Sequence, residues 1–260
     1  STMGAVAGMS NKSLENHIEM TKVMGIEAET AGKLQRLALA SNEESDQSLS
    51  NILDSVVALD QETGIRLNTQ DVIEEVAKTE GELALQYKNN PGLIAKAVTQ
   101  VRKLGLTLSQ AGKMSESLLE FETSISKEME AEVLLGKDLN LDRARALALQ
   151  GDSAGAAAEM MKQVKAMGGL ESMNVIQRKA LAEAAGMSAD ELANAVMQEE
   201  NLQKLGKQAR KQLEERVARL KAQGKVEEAN RLLTAAGNKE DLEAAMKRQS
   251  LNDQFNDAMD

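Results

Sequence analysis

The sequence predicts an all-α fold, an irregular orthogonal helical bundle with helix-turn-helix corners, followed by a longer helical C-terminal extension. Three observations carry that expectation. The 260 residues include no Trp, one Tyr (Tyr87) and two Phe (Phe121, Phe255). The core must therefore be built from Leu, Ala, Val, Ile and the 14 Met, a mixture that suits helix against helix because unbranched Met fills the gaps between close backbones. Punctuation is by Gly, with Pro91 the only Pro. Between the glycines, apolar residues recur at three- and four-residue steps, the spacing of one helix face. The expected organisation is a frayed or non-native remnant over 1–14 (the opening STMG), a bundle domain over 15–197 and an extension over 198–260 that could form a coiled coil or dock. At ordinary helix lengths that makes about nine to twelve helices.

Four stretches share one corner grammar: VMGIEAETAGKL (23–34), TGIRLNTQDVI (63–73), KLGLTLSQAGKM (103–114) and AAGMSADELANA (185–195). In each, a Gly able to take the left-handed conformation ends one helix, and the apolar residue after it packs back. Two of the helices that follow start on a capping box, Thr107 to Gln110 and Ser188 to Glu191. Gly25, Gly64, Gly105 and Gly186 stand 39, 41 and 81 residues apart. That spacing fits stacked helical pairs with one beat missing near LGKDLNLDRARAL, where Asn140 or Asp142 would cap; chance spacing fits equally. In KNNPG, Pro91 stands where a helix begins.

From Ser109 to Leu135 the residues Met114, Leu118, Phe121, Ile125, Met129 and Val133 form one stripe, which predicts a single helix of about 27 residues and roughly 40 Å with that stripe inward. LNLDRARALALQGD then reads as a short helix with Leu139, Leu141, Ala144, Leu147 and Ala148 inward, stopped at Gly151. Arg143 and Arg145 are placed to pair with the EMEAE carboxylates (128–132). From Ala189 to Gln223 a narrow stripe of Leu192, Val196, Leu202, Leu205, Ala209, Leu213, Val217 and Leu220 predicts one long helix, either a coiled-coil seam or a helix lying on the bundle. GKVEEANRLLTAAG and a helix from Asp241 suggest that the chain then turns back twice, and self-association through this region is plausible.

Charge excludes some partners. The formal net charge is −10, with eleven Asp/Glu against Arg66 and Lys78 over 41–82. Over 202–225 the balance reverses: Lys204, Lys207, Arg210, Lys211, Arg216, Arg219, Lys221 and Lys225 face only Glu214 and Glu215. No aromatic interleaves that run to stack on a base, so it reads as a solvated face, and no nucleic-acid partner is expected. RKALAEAAGMSADELANAVMQ (178–198) has the outline of a DNA-binding helix-turn-helix, but Ser188 to Glu200 carries Asp190, Glu191, Glu199 and Glu200 with no Lys or Arg, a face that repels phosphate. No apolar run approaches the roughly 18 residues of a membrane span.

Catalytic constellations are equally scarce. His17 is the single histidine and there is no Cys, so a His-rich metal centre, a Ser-His-Asp arrangement and a thiolate site all lack their parts. Among the acidic residues, Glu43 with Glu44 and Glu74 with Glu75 point apart on a helix. Glu116 with Glu120 and Glu128 with Glu132 have the four-residue spacing that converges, as do many polar faces in so acidic a chain. GDSAGAAAE lacks the Gly-Lys-Ser/Thr ending of a phosphate loop. No catalytic residue, cofactor-binding residue, metal ligand or cofactor is assigned, and no enzyme is expected.

One part of the chain is distinctive. AVTQVRKLGLTLSQAGKMSESLLEFETSISKEMEAEVLLGKDLNLDRARALALQGD, followed by MNVIQRKALAEAAGMSADELANAV, resembles a segment of the tail tape-measure proteins of tailed bacteriophages, with the marks spread over roughly residues 90–197. The resemblance implies a non-enzymatic structural and assembly role in a phage or prophage tail, including length determination. It implies the virion tail as location, with host cytoplasm during assembly, and tail-tube, baseplate or tail-assembly chaperone proteins as partners. Some members also carry a peptidoglycan hydrolase or a membrane-spanning part; this sequence shows neither. Two other readings stand beside it: a nucleic-acid-binding regulator of helix-turn-helix type, resting on the corner at Gly186 and the basic run, and a generic helical protein-interaction module.

Overall fold

The computed structural model describes residues 18–23, 25–42 and 45–229. His17, the Glu43–Glu44 pair, residues 1–14 and everything expected beyond Ala229 lie outside them. Among the described residues there is no strand, and eleven α-helices follow one another: α1 (Ala28–Ala40), α2 (Ser45–Thr63), α3 (Thr69–Lys78), α4 (Gly81–Gln86), α5 (Pro91–Arg102), α6 (Leu108–Leu119), α7 (Phe121–Leu135), α8 (Asp142–Leu149), α9 (Ser153–Ala166), α10 (Val175–Ala184) and α11 (Ala189–Ala222). A π-helical turn (Glu19–Val23) precedes α1, and a 3-10 turn (Leu170–Ser172) stands between α9 and α10. The protein is an all-α helical bundle.

The corners form as their residues dictate. Gly25, Gly64, Gly105 and Gly186 have φ of 70°, 72°, 73° and 73°. At Gly105 the amide donates to Arg102 O (3.0 Å) and the Leu106 amide to Val101 O (3.1 Å). At Gly186 the amide donates to Glu183 O (3.1 Å) and the Met187 amide to Ala182 O (3.0 Å). Both are Schellman closures, which satisfy the last helical carbonyls. The capping boxes at Thr107–Gln110 and Ser188–Glu191 are formed, and α5 starts at Pro91 with Asn90 Oδ1 accepting from Leu93 N (2.9 Å).

The chain divides into two compact units, one holding the described residues to Thr99 and those from Lys204, the other Gln100–Gln203. These boundaries differ from the expected bundle over 15–197 with an extension from 198. In the first unit α1, α2 and α3 pack on one another and bury Leu34, Ile52, Leu53, Val56, Val72, Ile73 and Val76. The reason that residues beyond 203 belong here is local. Gly206, buried within α11, lies so close to the corner after α2 that a Cβ on it would stand 3.1 Å from Gly64 O and 3.2 Å from Thr63 O. The Arg210 guanidinium then donates to Gln61 O (2.9 Å) and to Glu62 O, placing a cation on the last carbonyls of α2, where the helix dipole favours it. α11 is thus docked on the end of α2 around Gly206 and Arg210.

In the second unit α6 packs on α8 and α9, α8 on α9, and α7 on α10. Its core has the predicted chemistry, with Leu106, Leu108, Met114, Leu118, Leu139, Leu141, Met160 and Met161 fully buried among Ala111, Ala131, Ala144, Ala156 and Ala157. Leu147 is half-buried, and α8 stops at Gly151 (φ 75°) as expected. The single helix expected over 109–135 does not exist: Glu120 (φ −77°, ψ 70°) leaves the helical region and separates α6 from α7. The apolar stripe runs on through that break, so periodicity alone does not reveal it.

Candidate interaction surface

The break at Glu120 reorients the second half of the stripe. Met114 and Leu118 on α6 are buried, but Phe121 is 45% exposed, Ile125 45%, Met129 60% and Val133 82%. α7 instead turns Ser124, Glu128 and Ala131 inward. The expectation that Phe121, Ile125, Met129 and Val133 face the core is therefore corrected: these four lie outside, among exposed Glu122, Thr123, Ser126 and Glu130.

The cause lies seventeen residues further along the chain. Arg145 on α8 is buried and its guanidinium meets three partners: Glu128 Oε2 at 2.5 Å, Asp142 Oδ1 at 2.9 Å and Ser124 Oγ at 3.1 Å. Burial alone would lower the Arg145 pKa, but its hydrogen bonds to Asp142 and Glu128 outweigh that and hold it above its ordinary value. The other Glu128 oxygen accepts the Leu141 amide (3.0 Å), and Glu132 Oε1 accepts the Leu139 amide (2.8 Å). A buried charge that is paired and hydrogen-bonded can persist where an unpaired one cannot. Glu128 and Glu132 thus hold the loop that leads into α8, and Phe121, Ile125, Met129 and Val133 are left outside.

The expected pairing of Arg145 with the EMEAE segment is present, through Glu128; Arg143 pairs instead with Glu159 (3.7 Å). Glu128 and Glu132, whose spacing would let them converge, each accept a different backbone amide, those of Leu141 and Leu139. Among the described residues no group of three or more His, Cys, Asp or Glu could hold a metal ion, and no helix is long and apolar enough to cross a membrane.

The end of α7 is tied to the start of α10. Gln177 Nε2 donates to Leu134 O (2.9 Å), while Gln177 also closes a capping box with Asn174 that the sequence reading missed, although the N-x-x-Q pattern signals it. The bond ties the first turn of α10, which carries exposed Val175 and Ile176, to the last turn of α7. Glu122 and Glu130 are the exposed acids of α7 beside the stripe.

On the helix-turn-helix corner, Glu199 of α11 is buried against α9, paired with Lys165 and accepting from Gln203 Nε2 (3.1 Å). Glu191 accepts the Ser188 amide (2.9 Å) and hydroxyl, and these bonds hold its carboxyl below the ordinary 4.5. The corner therefore spends its polar residues on its own packing and presents Asp190 and Glu200 outward. In the basic run, Arg210 holds the end of α2, while Lys207, Lys211, Arg216 and Lys221 are exposed.

No protein-family model, no curated protein and no solved structure matches this chain.

Proposed function

We propose that the chain is a structural and assembly domain of a phage or prophage tail tape-measure protein, acting through protein contacts rather than chemistry. The observation that supports this most is the outward apolar side of α7, which lies inside the segment carrying the tape-measure marks. Exposed apolar stripes of this extent mark recognition surfaces on folded proteins. The reading places its contacts with tail-tube, baseplate or tail-assembly chaperone proteins.

Such a domain need not be the ruler. As one continuous helix, 260 residues would reach about 390 Å at 1.5 Å per residue. Schellman corners, capping boxes and the buried Arg145 cluster all favour folded units instead. The proposal is that this part of the chain adds little measured length.

Deletion of residues 15–195 in frame within the parent gene, followed by electron microscopy of tails, tests it. Impaired assembly, with the tails that do form keeping nearly full length, is the expected result. Shortening by about 1.5 Å per deleted residue would make the segment a ruler. A gene neighbourhood without tail genes, joined to a sequence-selective shift of duplex DNA at physiological salt, would favour the regulator reading.

A further inference from the structure

α11 is one helix of 34 residues, but its parts are held differently. Up to Gln203 it belongs to the second unit, where it buries Leu192, Ala195 and Glu199. From Lys204 it belongs to the first, and between Gly206 and the end of the helix only Val217 is buried, with Ala209, Leu213 and Leu220 half-buried. Little apolar surface therefore holds that part down, which places it at the low end of local stability.

What fastens it is concentrated in one turn. Gly206 brings its backbone against the Gly64 corner, and one turn on the Arg210 guanidinium donates to Gln61 O (2.9 Å) and Glu62 O. Both bonds are exposed, so water competes for the same groups. Gly206 is also the one glycine in α11, and glycine is the weakest helix former after proline. The clamp and the weak point of the helix coincide, just past the change of unit.

We propose that residues 207–222 are a strap that opens from the first unit independently of the rest of the fold, hinged at Gly206 and latched by Arg210. Closed, the strap places the Arg210 cation on the last carbonyls of α2, which have no partner within their own helix. Opening removes that cap and bares Val217. It frees a basic segment, with Lys207, Lys211, Arg216, Arg219 and Lys221 on one side and Leu213, Val217 and Leu220 on the other. The strap goes beyond the tail reading and does not depend on it: it is read on the isolated chain, whereas that reading is tested on assembled tails.

Thiol labelling of the full chain tests the proposal, because the sequence has no Cys and one can be placed where opening shows. A thiol introduced by Val217→Cys reacts when the strap leaves, whereas one introduced by Leu192→Cys, buried in the first part of the same helix, reacts only when the second unit opens. The expected result is labelling at position 217 at least about 100-fold faster than at 192. Adding Arg210→Met, which keeps the apolar stem but not the donors, should speed labelling at 217 about tenfold and leave 192 unchanged. Should Val217→Cys fail to fold, hydrogen exchange of the unaltered chain and of Arg210→Met reads the same opening, as fast exchange over 211–222 beside slow exchange over 192–203. Equal labelling at the two positions, uniform exchange along α11, or no acceleration by Arg210→Met would each overturn the strap. So would a Val217→Cys thiol as reactive as one at exposed Gln212, since no closed state would then exist.

Discussion

Replacing Gly105 and Gly136 with Ala separates two costs that are usually confounded. Both glycines are left-handed, with φ of 73° and 65°, so a Cβ at either position carries the same conformational penalty, about 1 to 2 kcal/mol. Part of it is offset by the unfolded chain losing freedom, about 0.4 to 1 kcal/mol. Their surroundings differ sharply. A Cβ on Gly136 would meet nothing within 4 Å, whereas one on Gly105 would stand 2.3 Å from Ala195 O and 2.9 Å from Gln198 Cβ. The first of those neighbours is α11 backbone, which cannot rotate away, so overpacking adds about 1 to 3 kcal/mol. Gly136→Ala should then cost about 1 kcal/mol and Gly105→Ala about 2 to 4 kcal/mol, both read by urea titration of helical circular dichroism. Equal losses in the two variants would refute the close approach of the Gly105 corner to α11, whatever the φ values.

Two further outcomes follow from the charged groups. Arg145→Ala leaves Glu128 buried without its cation and should lose about 3 to 5 kcal/mol, whereas Arg143→Ala, which breaks only a loose pair with Glu159 at the surface, should stay within about 0.5 kcal/mol; equal denaturation midpoints would remove the buried cluster from the account. Glu191 is held below its ordinary 4.5 by the Ser188 bonds, so its charge stabilises the fold above that pH and the contribution is lost as pH falls through the lowered folded value. Wild type should therefore melt higher than Glu191→Gln at pH 7 and converge with it as pH drops below 4.5; a constant difference down to pH 3 would contradict the linkage.

The helices and their corners were legible in the sequence because the information is local. A Gly with an apolar follower, a Thr or Ser three residues before Gln or Glu, and a Pro after Asn each specify a backbone conformation within a few residues, and each forms where expected. The limits of α11 were readable for the same reason. Its docking was not, because it depends on Gly206 and Arg210 meeting a corner more than a hundred residues earlier in the chain. The break at Glu120 has neither Gly nor Pro to announce it, and the apolar spacing runs through it undisturbed.

The orientation of α7 was illegible for a different reason. Periodicity shows that a helix has an apolar side, but which side faces the core depends on what the rest of the chain offers. Burying Phe121, Ile125, Met129 and Val133 would be worth about 1 kcal/mol for each partly exposed side chain, whereas a buried ion pair with full hydrogen bonding roughly breaks even against apolar packing. The inward side of α7 has other obligations. Glu128 and Ser124 meet the Arg145 guanidinium, and Glu128 and Glu132 accept the Leu141 and Leu139 amides. Rotating α7 to bury the stripe would strand a buried guanidinium and two loop amides, at about 1 to 3 kcal/mol for each unsatisfied group and more for the charge. That cost outweighs the apolar gain, so the orientation is set by the loop that α7 holds, a partner that lies beyond the reach of periodicity in the sequence of α7 itself.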